Sequence, residues 1–166
     1  MEPELKSFSE FLNYFQKESN RGVALTAAAY LDERLHKILK NFLADTKETK
    51  RLINGHAPLG SFYSRTLACF SLGLIEKNEF EELTLIRKVR NEFAHDWNEA
   101  SFEEGKVCEL VEQLPYGGPD EFEEESDLRM RFITAVIILL VDLLWRARLV
   151  KKEKRKIKTW PNKTRD

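Results

Sequence analysis

The residues best suited to chemistry lie together in Arg90-Asn91-Glu92-Phe93-Ala94-His95. A histidine with an ordinary pKa near 6.5 can take a proton from an RNA 2′-hydroxyl or return one to a leaving oxygen. Arginine can hold a phosphate with two parallel hydrogen bonds and stabilise the extra charge of a phosphorane. Asn91 could orient the imidazole or bond a phosphate. The chemistry these three support is phosphodiester cleavage, and it requires neither metal nor cofactor. With twelve arginines and three histidines in 166 residues, chance places an Arg five before a His about 0.2 times per such chain, so spacing alone does not carry the reading. The competing reading pairs Arg90 with a surface carboxylate and leaves His95 as a cation near a helix C-terminus.

The helix that must position these groups is legible around them. Leu83, Ile86, Val89, Phe93 and Trp97 recur at 3-to-4 spacing and, with Phe80, face inward. Arg87, Asn91 and His95 fall four apart and form a polar row on the other side. Arg90 lies about 140° around the helix from His95 at 100° per residue. The two can meet only if the helix is distorted, if their side chains curl, or if a second helix completes the site.

Other polar groups read as structural. Cys69 and Cys108 sit among apolar neighbours without CxxC or Cys/His spacing and read as small buried hydrophobes, with no metal implied. Arg21 with Asp32 and Glu33 reads as an ion-pair group, and His56, beside Gly55 and Pro58, as a surface-loop histidine.

Net charge is −1, yet from Arg146 onward ten basic and two acidic residues give +8, which leaves −9 for the rest. In that tail Lys151, Lys152, Lys154, Arg155, Lys156 and Lys158 precede Trp160, a pattern able to contact RNA or DNA by phosphate pairing and stacking. A solvated helix end is the alternative. The N-terminus carries no secretory signal. The apolar run Phe132 to Trp145 would span about 21 Å against about 30 Å of hydrocarbon, so it reads as a core or interface helix and the protein as cytoplasmic, without a membrane.

Elsewhere the 3.6-residue period persists. A first helix carries Leu5, Phe8, Phe11, Leu12 and Phe15. A second, capped by Asn20, runs from Ala24 to Phe42 with a face of small residues in its first half. A short piece covers Thr46 to Ile53, and Ser61 and Gly73 bracket the next helix. Asn78 caps the Arg90 helix, and Ser101-Phe102-Glu103-Glu104 opens one to about Leu114. The last helix starts near Ser126 and runs into the tail, ended at the latest by Pro161. The expectation is an all-α, single-domain antiparallel bundle of six or seven helices over residues 1–150, with a basic tail over 151–166. The small-residue face and the apolar surplus of Phe132 to Trp145 point to a homodimer.

Two resemblances sharpen this. Arg90-Asn91-Glu92-Phe93-Ala94-His95-Asp96 resembles the Arg-x4–6-His motif of the HEPN superfamily (higher eukaryotes and prokaryotes nucleotide-binding), small helical bundles whose active members are metal-independent RNases with a site composed across a dimer. That resemblance implies Arg90 and His95 as the catalytic pair and Asn91 as the supporting residue. Three longer segments, Arg21 to Asp32, Ala57 to Ile75 and Ile86 to His95, resemble the mannitol-repressor family. This implies an all-helical transcriptional regulator, without a recognisable DNA-binding motif, that acts through a protein partner. The regulator is the first reading and the RNase, a toxin or phage-defence enzyme, the second.

Overall fold

The computed structural model describes residues 3–95, 100–118, 127–162 and 164. Among them are seven α-helices and no strand: α1 (Pro3–Phe15), α2 (Asn20–Phe42), α3 (Lys47–Ile53), α4 (Phe62–Ser71), α5 (Lys77–His95), α6 (Gly105–Glu112) and α7 (Leu128–Val150), the last followed by a 3-10 turn at Lys151–Glu153. The fold is all-α and single-domain. Trp97 and Ser126, named above, lie outside the described residues.

The helix ends show which local signals prevailed. Ser61 opens α4 with a full capping box, its hydroxyl accepting from Ser64 N–H while the Ser64 hydroxyl accepts from Ser61 N–H. Gly73, at φ 69°, closes it. There Leu74 N–H reaches the Cys69 carbonyl at 2.8 Å and Gly73 N–H the Phe70 carbonyl at 2.9 Å, the paired bonds of a Schellman end. At α2 the cap is Ser19, not Asn20. The Ser19 hydroxyl accepts from Gly22 N–H at 3.0 Å, while the Asn20 amide oxygen takes Arg129 of α7. Asn78 likewise is not the cap of α5, because Glu79 reaches back to accept from Glu76 N–H at 2.6 Å. Ser101 closes only a local turn to Glu103 N–H, and α6 begins four residues later. Phe102 is buried between Phe93 and Phe132, and that insertion draws the backbone inward before a helix can start.

Three long helices set the architecture. Arg129 meets Asn20 where α7 and α2 begin, and Asn41 meets the Ala147 carbonyl where both end, so α2 and α7 run in the same direction. α5 runs against both: Arg21 at the start of α2 reaches the Ala94 carbonyl at the end of α5, and Glu79 at the start of α5 pairs with Arg146 at the end of α7. Ala24, Ala27 and Ala28 are fully buried in this packing. The small-residue face offered above as a dimer surface is therefore consumed within the chain. α7 buries Phe132, Leu139, Leu140 and Leu143, each contributing about 2 kcal/mol of apolar burial. It runs into the basic stretch as far as Val150, with a 3-10 turn to Glu153, and ends there well before Pro161 as Arg155 N–H turns back to donate to the Phe42 carbonyl at 2.7 Å. No helix among the described residues is long and apolar enough to cross a membrane.

Candidate functional site

The rotation of α5 follows from its apolar stripe. Leu83, Ile86, Val89 and Phe93 are buried, and Phe93 is fixed by a ring contact to Phe102 at 5.1 Å, which in turn meets Phe132 at 5.3 Å. With that face pinned, Arg90 and Asn91 are half-buried and His95 is exposed in the last turn. Arg90 Nη1 donates to Asn91 Oδ1 at 2.9 Å. Arg87 leaves the polar row to lie over the Tyr63 ring of α4, 4.7 Å from its centroid. Glu92 pairs with Lys106 of α6 at 3.0 Å. The helix is continuous through His95, and no hydrogen bond joins Arg90 to His95. Within one chain the two candidate catalytic groups are therefore not directly bonded to each other.

A second polar centre went unread in the sequence. Arg65 of α4 is buried and fully engaged: Nη1 donates to Asp32 at 2.6 Å, Nε to the Leu59 carbonyl at 2.9 Å and Nη2 to the Ile53 carbonyl at 3.0 Å. One guanidinium thus holds α2, the end of α3 and the 54–60 turn together. Beside it, His36 is held below its ordinary pKa by partial burial, then by the positive charge of Arg65, and a bond to the Ile53 carbonyl only partly opposes this. Asp32 Oδ1 and His36 Nδ1 are buried without hydrogen-bond partners among the described residues. The expected ion-pair group of Arg21, Asp32 and Glu33 is divided. Asp32 goes to Arg65 and Glu33 to Arg34 at 2.7 Å, while Arg21 extends to α5. The only sequence signal for this centre was the i, i+4 placement of Asp32 and His36 on α2, and their partner lies 33 residues from Asp32.

The remaining groups are quickly placed. His56 is exposed in its turn. Cys69 is buried, and burial pushes its thiol up to about 12. Cys108 is only partly covered, against the expectation of burial, since α6 turns it outward to within 3.7 Å of Glu112 Oε1. Lys151, Lys152, Lys154, Arg155, Lys156 and Lys158 are all exposed. Arg155 stacks on Phe42 at 4.8 Å. Arg146, counted above with the tail, is engaged with the body instead, bidentate to buried Glu79 at 3.0 and 3.1 Å and bonded to the Leu74 carbonyl.

Comparison with known families decides what this bundle is. The profile of MtlR, the mannitol repressor, matches residues 9–119. The chain belongs to the mannitol repressor family. The mannitol operon repressor of Escherichia coli K12 is 30% identical over 92 residues, which cover 52% of this chain and 47% of that protein. The same repressor from Escherichia coli O6:H1 gives the same figures. The chain thus spans about half the length of the curated relatives it matches. A chain from the X-ray structure of the MtlR-HPr complex of Escherichia coli superposes with a TM-score of 0.65 at 21% identity, over 82% of this chain and 97% of that one. It shows the same fold.

Within the family match lie Arg90, Asn91 and His95, and also Asp32, His36 and Arg65. The mannitol-repressor profile stops before α7 and the basic tail, so the six exposed tail cations lie outside what the profile matches.

Proposed function

We propose that this chain is a transcriptional regulator of the mannitol-repressor kind that acts in the cytoplasm through a protein partner and has no DNA-reading element of its own. The observation that carries this is the family match across residues 9–119. The three longest helices each give a face to one shared core and are tied to one another near their ends. HPr, with which the Escherichia coli relative was solved, is the first partner to test. In an Escherichia coli strain without its own mannitol operon repressor, expression of this chain should lower a mannitol-operon reporter, and purified chain should bind HPr saturably in calorimetry. Unchanged reporter output from well-folded, abundant protein would overturn the regulator.

The second reading, a metal-independent RNase, is favoured by one observation: Arg90 is oriented by Asn91 while His95 stands exposed. Because no bond joins Arg90 to His95 in one chain, this reading places the pair across a second copy. Incubated with mixed RNA and EDTA, the wild-type protein should leave 2′,3′-cyclic phosphate ends, and Arg90→Ala and His95→Ala should not. Absence of cleavage by a folded dimer eliminates the enzyme.

A further inference from the structure

The parallel arrangement of α2 and α7 does something the sequence does not show. Asn41 donates to the Ala147 carbonyl at 2.7 Å, so the two C-terminal ends finish side by side. Lys37 and Lys40 of α2 then stand beside Arg148 and Lys151 of α7. Lys37 is held below its ordinary pKa by partial burial and next by Arg148, Lys151 and Lys40, all cations. The tail does not run outward from this point. Arg155 donates its N–H to the Phe42 carbonyl and lays its guanidinium over the Phe42 ring, which holds Lys152, Lys154 and Lys156 across the end of α2. A groove of about 370 Å³ opens between this segment and residues 44–46. Asp45 is the acidic group among its described lining residues.

Two helix C-termini, each carrying about −0.5 charge, lie under these cations. With Lys154 and Lys156 they form a basic face assembled from three parts of the chain. We propose that this face binds the phosphodiester backbone of single-stranded nucleic acid, with Lys37 and Lys40 of the folded body as much a part of the site as the tail lysines. Beyond Glu153 the chain leaves the helix, and Lys154, Lys156 and Lys158 follow at every second residue. At full extension that is about 7 Å apart, comparable to successive phosphates of a stretched strand. Ile157 and Trp160 are exposed, and an exposed indole beside a basic track is a platform for a base. An acidic protein face would use the cations but would have no need of the open indole. This inference goes beyond the regulator reading and does not depend on it.

The test uses the full chain and a fluorescent oligothymidylate of about 20 nucleotides, followed by anisotropy. Wild-type protein should bind at about 50 mM salt and weaken more than about tenfold by 200 mM, as counterion release requires. The pair Lys37→Gln and Lys40→Gln should weaken binding several-fold and reduce the salt slope by about 1.4, the contribution of two phosphates on a single strand. Lys37→Arg with Lys40→Arg should restore both. Trp160→Ala should cost at least about fivefold. No binding by the wild type at 50 mM salt overturns the proposal. So does a Lys37/Lys40 glutamine pair indistinguishable from wild type, which would confine the site to the tail. Polyglutamate that competes as well as oligothymidylate would assign the face to an acidic protein instead.

Discussion

Arg65 is the residue on which most separate parts of the chain converge. Its guanidinium satisfies two loop carbonyls and the Asp32 carboxylate from a buried position. Arg65→Met would keep the stem packed and leave these acceptors without a donor, so the loss should be about 3 kcal/mol, the low end for breaking a buried pair, measured as a lower urea midpoint. His36 makes a prediction with a definite sign. Its folded pKa is depressed below 6.5, by burial first and Arg65 next, with Lys40 acting in the same direction and Asp32 against it. The unfolded chain therefore takes up a proton before the folded chain does, and stability present above pH 6.5 is lost as pH falls through that value. Between pH 7.5 and 5.5 the urea midpoint of His36→Gln should fall less than that of wild type. His95, exposed at the end of α5, should by contrast tolerate alanine within about 0.5 kcal/mol. Arg90, Asn91 and His95 were legible because their types and spacing are local properties. Arg65 and His36 were not, because nothing local distinguishes a buried arginine from a solvated one.

At the scale of elements, the ends of α4 were readable because each rests on bonds within five residues. Gly73 takes a left-handed backbone, and a Cβ built there meets nothing within 4 Å. Gly73→Ala should therefore cost about 1 kcal/mol from backbone conformation alone, with Gly73→Asn intermediate, as thermal melts would show. Asn20, Asn78 and Ser101 failed as caps for a common reason. In each case a better acceptor stood one residue away or a tertiary demand intervened: the Ser19 hydroxyl, the reach of Glu79, the burial of Phe102. The end of α7 was bounded in the sequence only by Pro161, because nothing between Val150 and Pro161 disfavours helix. What stops it is the docking of Arg155 on Phe42, a contact between residues 113 apart in the chain.

For the whole molecule, α7 buries one side and leaves Ile138, Val141, Trp145 (52% exposed) and Leu149 (55% exposed) along the other. These recur at 3 and 4 residues and form one apolar stripe. We propose it as the homodimer surface, now that the small-residue face of α2 is occupied. Light scattering should give twice the 19.5 kDa chain mass, and Trp145→Glu with Leu149→Glu should return the monomer with the helical spectrum unchanged. A wild type already monomeric at micromolar concentration would end the dimer and, with it, the composite RNase site. The sequence by itself determined the all-helical class, a count of six or seven helices and both ends of α4, since periodicity and capping act over a few residues, and its longer segments carried the family resemblance. Only the tertiary structure decided that α2 and α7 run parallel, that Arg146 belongs to Glu79 rather than to the tail, and that Lys37 and Lys40 join it. Those pairings close loops of 67 to 113 residues. The entropy of closure grows only logarithmically with loop length, so distance along the chain hardly discriminates among possible partners. The choice falls to side-chain packing, which exists only once the helices are assembled.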